Sequence, residues 1–498
     1  MTTLVAVWWL FFWTVLGLCL GSFLNAVIYR IPRHGSLRVP LWSACPHCRN
    51  RIAWYDNIPV VSFVILKGRC RMCGVPISTR YVIVEVVMAL IVLMLLDAFL
   101  IGGVRSGLSV SQFGLTDRLA YDWPILAAHI ILFACMLAMS AIDLEHYWID
   151  IRFTNFVVIA GFVLHAIWTP KYATGWPRPD DATAVIGLLA VVGLAIMWVL
   201  MATDNDPDPD DLDEEESHDA VEPAADGSKP RRPPPSLASP SRVGGWLAVI
   251  ILAALVLGLL LQEVYDVPLR HLGRALLPLA LFFGLILAES SIVRDSDKAI
   301  IDAIDSERHG ARQMVLAELL VLLPAVALGL LGYWLTAGEG EVPTRISAGL
   351  HTEIPVTGLA TLRHWQPLWG LGTAAAGYII AGALGWTVRI VFTLVLGKEA
   401  FGVGDIHLMA AAGCVAGWPV VVLGFFLTAV LALIGWIATL PLKRTRAIPL
   451  GPWLALSFLI MVVFYDSVVR WPPIERAIVV AEWLLSNNSQ ASQFGGLP

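Results

Sequence analysis

Apolar runs of membrane-spanning length recur along most of the chain, separated by short polar stretches. About 20 apolar residues carry a helix across a bilayer. Runs near that length stand at 4–28, 81–101, 124–142, 153–169, 183–203, 244–262, 274–290 and 313–336, and again at 368–396, 406–417, 418–440 and 449–466. They predict twelve crossings. The 406–417 piece is short for a span, and Gly417-Trp418-Pro419 turns it into the next helix. Two polar stretches interrupt the pattern: residues 30–80 hold four cysteines, and residues 204–242 are acidic and then Pro-rich. The second composition cannot bury a core, which predicts a disordered linker. The first apolar run lacks a basic n-region and an A-x-A site and exceeds a typical signal h-region, so it reads as a retained helix.

Composition supports a polytopic membrane protein. Hydrophobic residues make up 57% and charged residues 14%, against roughly 45–50% and 25% in soluble domains. Residues 204–226 carry twelve acids and no Lys or Arg, and without them the net charge of −6 becomes +6. Lys and Arg in short loops stay cytoplasmic. The stretch holding Arg30, Arg33, Arg38, Arg49, Arg51, Lys67, Arg69, Arg71 and Arg80 is therefore expected inside. Counting crossings from there also puts Arg294, Lys298, Arg308 and Arg312 inside, together with Lys443, Arg444 and Arg446. Charge and parity agree.

Cys45-Pro46-His47-Cys48 and Cys70-Arg71-Met72-Cys73 form a repeated CxxC pair with 21 residues between the two. Such spacing offers four thiolates to one tetrahedral zinc, as in ribbon-type sites. Gly68 and Gly74 allow the tight turns that aim amides at sulfur. Four thiolates close the coordination sphere, so the expected role is structural. The alternatives are ordinary reduced thiols, or disulfides, which a reducing compartment disfavours. Cys19, Cys135 and Cys414 lie in apolar runs and read as small buried hydrophobes. The fold class expected is thus an all-α polytopic membrane protein of about twelve helices with a small zinc-ribbon-like loop domain.

Two aspartates stand at the edges of apolar segments: Asp143 in Ala141-Ile142-Asp143-Leu144-Glu145-His146, and Asp405 in Gly402-Val403-Gly404-Asp405-Ile406-His407. A carboxylate at a membrane boundary is costly to desolvate and is a functional candidate by default. The topology count puts both on one side, where they can share a proton. GxGD alone is a weak motif, but here it follows one apolar helix and opens another, and its glycines let the backbone turn closely.

Further segments resemble one family. Gly21-Ser22-Phe23-Leu24-Asn25-Ala26-Val27-Ile28-Tyr29-Arg30-Ile31-Pro32, the cysteine loop with Trp54-Tyr55-Asp56-Asn57-Ile58-Pro59, then Arg80-Tyr81 with Glu85, Asp143 and GxGD, occur in the order found in type IV prepilin peptidases, membrane aspartic proteases of the GxGD class. The resemblance covers roughly residues 4–169 and 368–440. It implies that Asp143 and Asp405 are catalytic, and that the substrates are prepilins or pseudopilins with a short basic cytoplasmic leader. It further implies cleavage after a glycine where the substrate helix starts. Many members also methylate the new N-terminus with S-adenosylmethionine, and the cysteine loop that accompanies those members is present. The place implied is the bacterial cytoplasmic (inner) membrane, with the lipid bilayer and substrate as partners and no nucleic acid. Two positions depart from the family: a proline is usual near Ile149-Asp150-Ile151, and Lys is common where His407 stands.

The organisation expected is a first helix at 1–29, a zinc-binding loop with four cysteines at 30–80, a first core part at 81–169 and an insertion at 170–367. A second core part at 368–470 and a tail at 471–498 complete it. The insertion holds four apolar runs, an even number, which returns the chain to the side it left. Glu145, Glu399 and His407 lie near the aspartates in sequence and are candidates to tune them. Asp295, Asp297, Asp302 and Asp305 read as a solvated face. Two other function classes compete: a proton- or cation-coupled transporter using the same aspartates, and an idle scaffold whose insertion is a docking surface.

Overall fold

A computed structural model describes residues 3–33, 35, 37, 42–101, 115–168, 181–204, 311–337, 366–397, 401–439 and 449–476. The expected spans 244–262 and 274–290, the linker beyond 204, the aspartates between 295 and 305, Glu399 and the tail beyond 476 lie outside the described residues.

The described chain is helical: α1 (Thr3–Arg30), the short α2 (Val61–Ile65), α3 (Arg80–Leu96) with a π turn at Asp97–Ile101, α4 (Leu115–His146) and α5 (Ile151–Ile167). There follow α6 (Asp181–Asp204), α7 (Ala311–Ala337), α8 (Gln366–Leu396), α9 (Val403–Ala416), α10 (Trp418–Thr439) and α11 (Gly451–Val469). No strand occurs among the described residues, which hold only two isolated antiparallel bridges in the cysteine loop. Ten of the twelve expected runs fall on these helices. Among the described residues six helices are long and apolar enough to cross a membrane, while α5, α6, α7 and α9 contribute shorter apolar stretches. The chain is a multi-pass membrane protein, and the full count of twelve crossings is not established by the described part.

One boundary differs. Helix α4 begins at Leu115, before the apolar run at 124, and continues through Pro124. Its polar first turns are held by tertiary contacts that hydropathy does not register: Asp122 is buried and accepts the Trp168 indole N–H at 3.0 Å. Asp150 was expected only as part of a departure from the family. It caps α5, accepting the Arg152 backbone N–H at 2.8 Å, so a side-chain cap opens the helix where a proline is usual.

Small residues set the closest crossings, as packing within a bilayer demands. A Cβ on Gly17 or Gly21 of α1 would lie 2.5 Å from the Cα of Ala89 or Glu85 on α3, so Gly21 of the N-terminal signature serves helix contact. Asn25 of the same signature donates to the Tyr81 carbonyl at 2.9 Å. Helices α6 and α7 cross closely at Gly193 against Pro324, and α6 meets α8 at Gly187 against Ala376. Helix α8 contacts α6 and α7 as well as α5 and α9.

The outer faces are apolar. Trp8, Phe11 and Phe12 on α1 and Phe426, Leu433 and Ile437 on α10 are exposed, a distribution that lipid satisfies and water does not. Cys19 belongs to this outer face of α1 and is exposed, contrary to its expected burial, whereas Cys135 and Cys414 are buried. An apolar run in a membrane protein has a lipid side as well as a core side, and hydropathy does not separate them.

Candidate active site

The last turn of α4 carries Asp143, and the first turn of α9 carries Asp405. The two segments lie on opposite sides of the inserted region in sequence, yet α4 and α9 pack together, and Asp143 is near enough to act electrostatically on Asp405. Helix α11 completes the corner. Its first residue, Gly451, donates its N–H to Asp143 Oδ2 at 3.2 Å. Helix N-termini favour carboxylates because their first N–H groups lack helical partners. Asp143 is 6% exposed, and Asp405 Oδ1 is shielded from solvent with no hydrogen-bond partner among the described residues. An unpartnered buried carboxyl oxygen is costly in a purely structural role.

Glycines make the corner possible. The chain leaves α8 at Gly397 with φ of 68° and enters α9 at Gly402, the N-cap residue. A Cβ on Gly404 would lie 2.9 Å from Ile149 Cβ, and one on Gly451 would lie 2.8 Å from Asp143 Oδ2 and 3.3 Å from Ile149 Cδ1. Ile149 is therefore wedged between the GxGD turn and the start of α11. Tyr147, with φ of 52°, bends the chain back between α4 and α5 to place it there.

Ile149 and Gly451 were not singled out from the sequence. Gly451-Pro452 opening an apolar run does carry a helix-start signal. Of the proposed tuning groups, Glu145 is committed elsewhere: it pairs with Arg80, whose Nη2 also donates to the Ala141 carbonyl at 3.2 Å. That pair ties the start of α3 to the end of α4. His407 lies half-buried on α9. Replacing Gly451 with Ala is expected to displace the Asp143 carboxylate and, where that carboxylate is catalytic, to lower turnover by about 10- to 100-fold, as a misplacement of roughly 1 Å does. Unchanged turnover would show that the Gly451 contact does not set the position of Asp143.

The four cysteines of the loop meet. Their sulfurs lie within 4.8 Å of one another, and Cys45 and Cys73 are 3.9 Å apart. A tetrahedron of ~2.3 Å Zn–S bonds has edges of roughly 3.8 Å. The two knuckles repeat one construction. Arg49 and Gly74 donate their N–H groups to the carbonyls of Cys45 and Cys70, both at 2.9 Å, and each takes a positive φ. Bridges Ala44–Arg51 and Arg69–Pro76 close the loops.

Backbone N–H groups of Cys73 and Met72 bring the Cys70 thiol down to about 7. The Val75 amide favours the Cys73 thiolate, but desolvation and the neighbouring sulfurs outweigh it and push Cys73 up to about 11. Thiolates gathered so closely need a cation among them. Arg71 also makes a two-point contact with Asp56, at 2.6 and 2.7 Å, holding that carboxyl below the usual carboxylate range and joining Trp54–Pro59 to the second knuckle. Glu85 accepts the Val60 N–H at 2.8 Å and anchors the loop to α3.

Comparison with known proteins agrees with this architecture. Residues 15–99 match the family described as the Bacterial Peptidase A24 N-terminal domain. A Myxococcus xanthus protein named prepilin leader peptidase/N-methyltransferase is 38% identical over 150 residues, 30% of this chain and 38% of its own length. An Escherichia coli type 4 prepilin-like proteins leader peptide-processing enzyme is 39% identical over 205 residues, 37% of this chain and 66% of its own. The matches to these two span less than two thirds of each relative. A Pectobacterium carotovorum prepilin leader peptidase/N-methyltransferase is 32% identical over 224 residues, 38% of this chain and 76% of its own length. No solved structure matches. With a relative matched over three quarters of its length and an N-terminal domain match besides, the chain belongs to the type IV prepilin peptidase family.

Proposed function

We propose that this protein is an aspartic endopeptidase of the bacterial inner membrane that removes the short basic leader from type IV prepilins or pseudopilins, with Asp143 and Asp405 as its catalytic pair. The observation that carries the reading is their convergence at one corner of the helix bundle. Two close carboxylates do not both ionise cheaply, so the pair shares one proton. The ionised member takes a proton from water while the protonated member polarises the scissile carbonyl. The new hydroxyl attacks the carbonyl carbon, and the leaving amine takes up a proton as the peptide bond breaks.

The basic residues of the cysteine loop favour a cytoplasmic face for that corner. There a substrate can keep its apolar helix in the bilayer while its leader lies in water. The first core part at 81–169 and the second at 368–470 together form the peptidase, and residues 170–367 are inserted between them. Methylation of the new N-terminus by S-adenosylmethionine enters this proposal through the names of the relatives, and no described cluster is assigned to the methyl donor. Mass measurement of the mature product tests it.

Purified protein in detergent is expected to convert a prepilin with a basic leader ending in glycine to a shortened product. Proton-coupled flux in liposomes without cleavage would instead favour the transporter reading, which nothing in the relatives supports. The Cys45, Cys48, Cys70 and Cys73 cluster is proposed to hold one structural zinc. Zinc supplies no chemistry to the cleavage here, since four thiolates leave no open position for water. Elemental analysis is expected to give one zinc per chain. Cys70→Ser is expected to weaken zinc binding at least 10- to 100-fold, the loss that outer partners alone cause. Unaltered zinc in a chelator competition would refute the assignment.

A further inference from the structure

Helix α7 belongs to the insertion that separates the two core parts, yet it reaches the GxGD turn through one side chain. Arg389 on α8 is 1% exposed, and its Nε and Nη2 make a two-point contact with Glu318 of α7 at 2.9 and 2.7 Å. Its Nη1 donates to the Phe401 carbonyl at 2.5 Å. Phe401 is the residue just before Gly402, and its ring stands edge-on to Phe425 of α10, with centroids 6.1 Å apart. The planar guanidinium fork allows this division: one edge engages the carboxylate and a remaining N–H is left for the carbonyl.

A helix entry with Gly402 as N-cap and Gly404 in its first turn has little stiffness of its own, and Asp405 Oδ1 has no partner among the described residues to hold it. The position of Asp405 therefore depends on what anchors the backbone ahead of it as well as on the packing of α9 against α8, α5 and α4. We propose that Glu318 is a positioning residue for the Asp143–Asp405 pair: it fixes the Arg389 fork, and the fork fixes the Phe401 carbonyl at the entry to α9. The inserted segment is then part of the apparatus that shapes the active corner. This rests on the reading of Asp405 as catalytic. Without the carboxylate, the buried guanidinium loses the two-point contact that orients its Nε and Nη2 and can shift, loosening its hold on Phe401.

The test uses the full-length protein in detergent with a model prepilin, and measures kcat, KM and thermal unfolding. Glu318→Ala is expected to lower kcat by roughly 10²-fold with KM changed by less than about twofold, as a misplaced reacting group does. Glu318→Gln, which keeps the shape and one acceptor, is expected to lower kcat by less than Glu318→Ala does. The double swap Glu318→Arg with Arg389→Glu separates positioning from mere docking of α7 on α8. It can restore the ion pair, but a carboxylate at 389 has no N–H to give Phe401. Recovered thermal stability with kcat still low supports the proposal. Recovery of both, or wild-type kcat in Glu318→Ala and Glu318→Gln, overturns it. Asp405→Asn run alongside locates any failure: an active Asp405→Asn removes the peptidase reading itself, whereas an inactive one beside a fully active Glu318→Ala removes only the role of Glu318.

Discussion

Replacing either Asp143 or Asp405 with Asn is expected to abolish leader cleavage, with a loss of about 10²- to 10⁴-fold or more, the range general acid–base groups contribute. The substitution keeps size and planarity, so the bundle should survive it. At 143 the amide oxygen still accepts the Gly451 N–H that now reaches Oδ2. What is lost, on the proposed mechanism, is the proton that the pair exchanges with water and substrate. On the proposed mechanism the two groups act as one unit, so the double variant should be no slower than the worse single variant. Gel separation of precursor and shortened product reads the loss, and circular dichroism checks that the helices remain. Normal cleavage by Asp405→Asn would end the aspartic mechanism for this chain.

How much of this corner was legible beforehand follows from the physics of each part. Hydropathy located ten of the described helices because a bilayer-crossing segment is apolar along its length, whatever it packs against. It misplaced the start of α4, where Asp122 and Trp168 satisfy each other, and it assigned Cys19 to the interior although α1 turns that residue outward. Asp143 and Asp405 were found as charges at membrane edges and as parts of local motifs. Their neighbours could not be found so directly. Gly451 is one of 41 glycines, and only the fold aims its N–H at Asp143. Arg389 and Glu318 left a trace, since a charge inside an apolar run is rarely idle. Their pairing spans two helices that the sequence does not show to be adjacent. Local chemistry is readable residue by residue, whereas a contact between distant segments needs the packing.

The same distinction governs the second large effect, at a site with no chemistry of its own. Helices α8 and α9 cross at Gly377 and Gly413 with their backbones in direct contact. A Cβ on Gly377 would lie 2.0 Å from the Gly413 carbonyl oxygen, and one on Gly413 would lie 2.2 Å from the Gly377 oxygen and 2.5 Å from Ala381 Cβ. Those atoms are backbone or a first side-chain carbon, so no rotamer relieves the clash and the helices must part. Overpacking a core costs about 1–3 kcal/mol and occasionally more, and a backbone contact belongs at the upper end. Gly413→Ala is therefore expected to lower the unfolding temperature and to cut cleavage although Asp405 is untouched, because α9 carries Asp405 in its first turn. Gly413→Leu should leave no assembled protein to purify. Gly382 lies on the same helix pair, but a Cβ there would meet Ala410 Cβ at an ordinary 3.4 Å, so Gly382→Ala should be tolerated. Equal stability and turnover for Gly413→Ala and Gly382→Ala would mean that the crossing yields more easily than its geometry implies, and that α9 is held in place by its contacts with α4 and α5 instead.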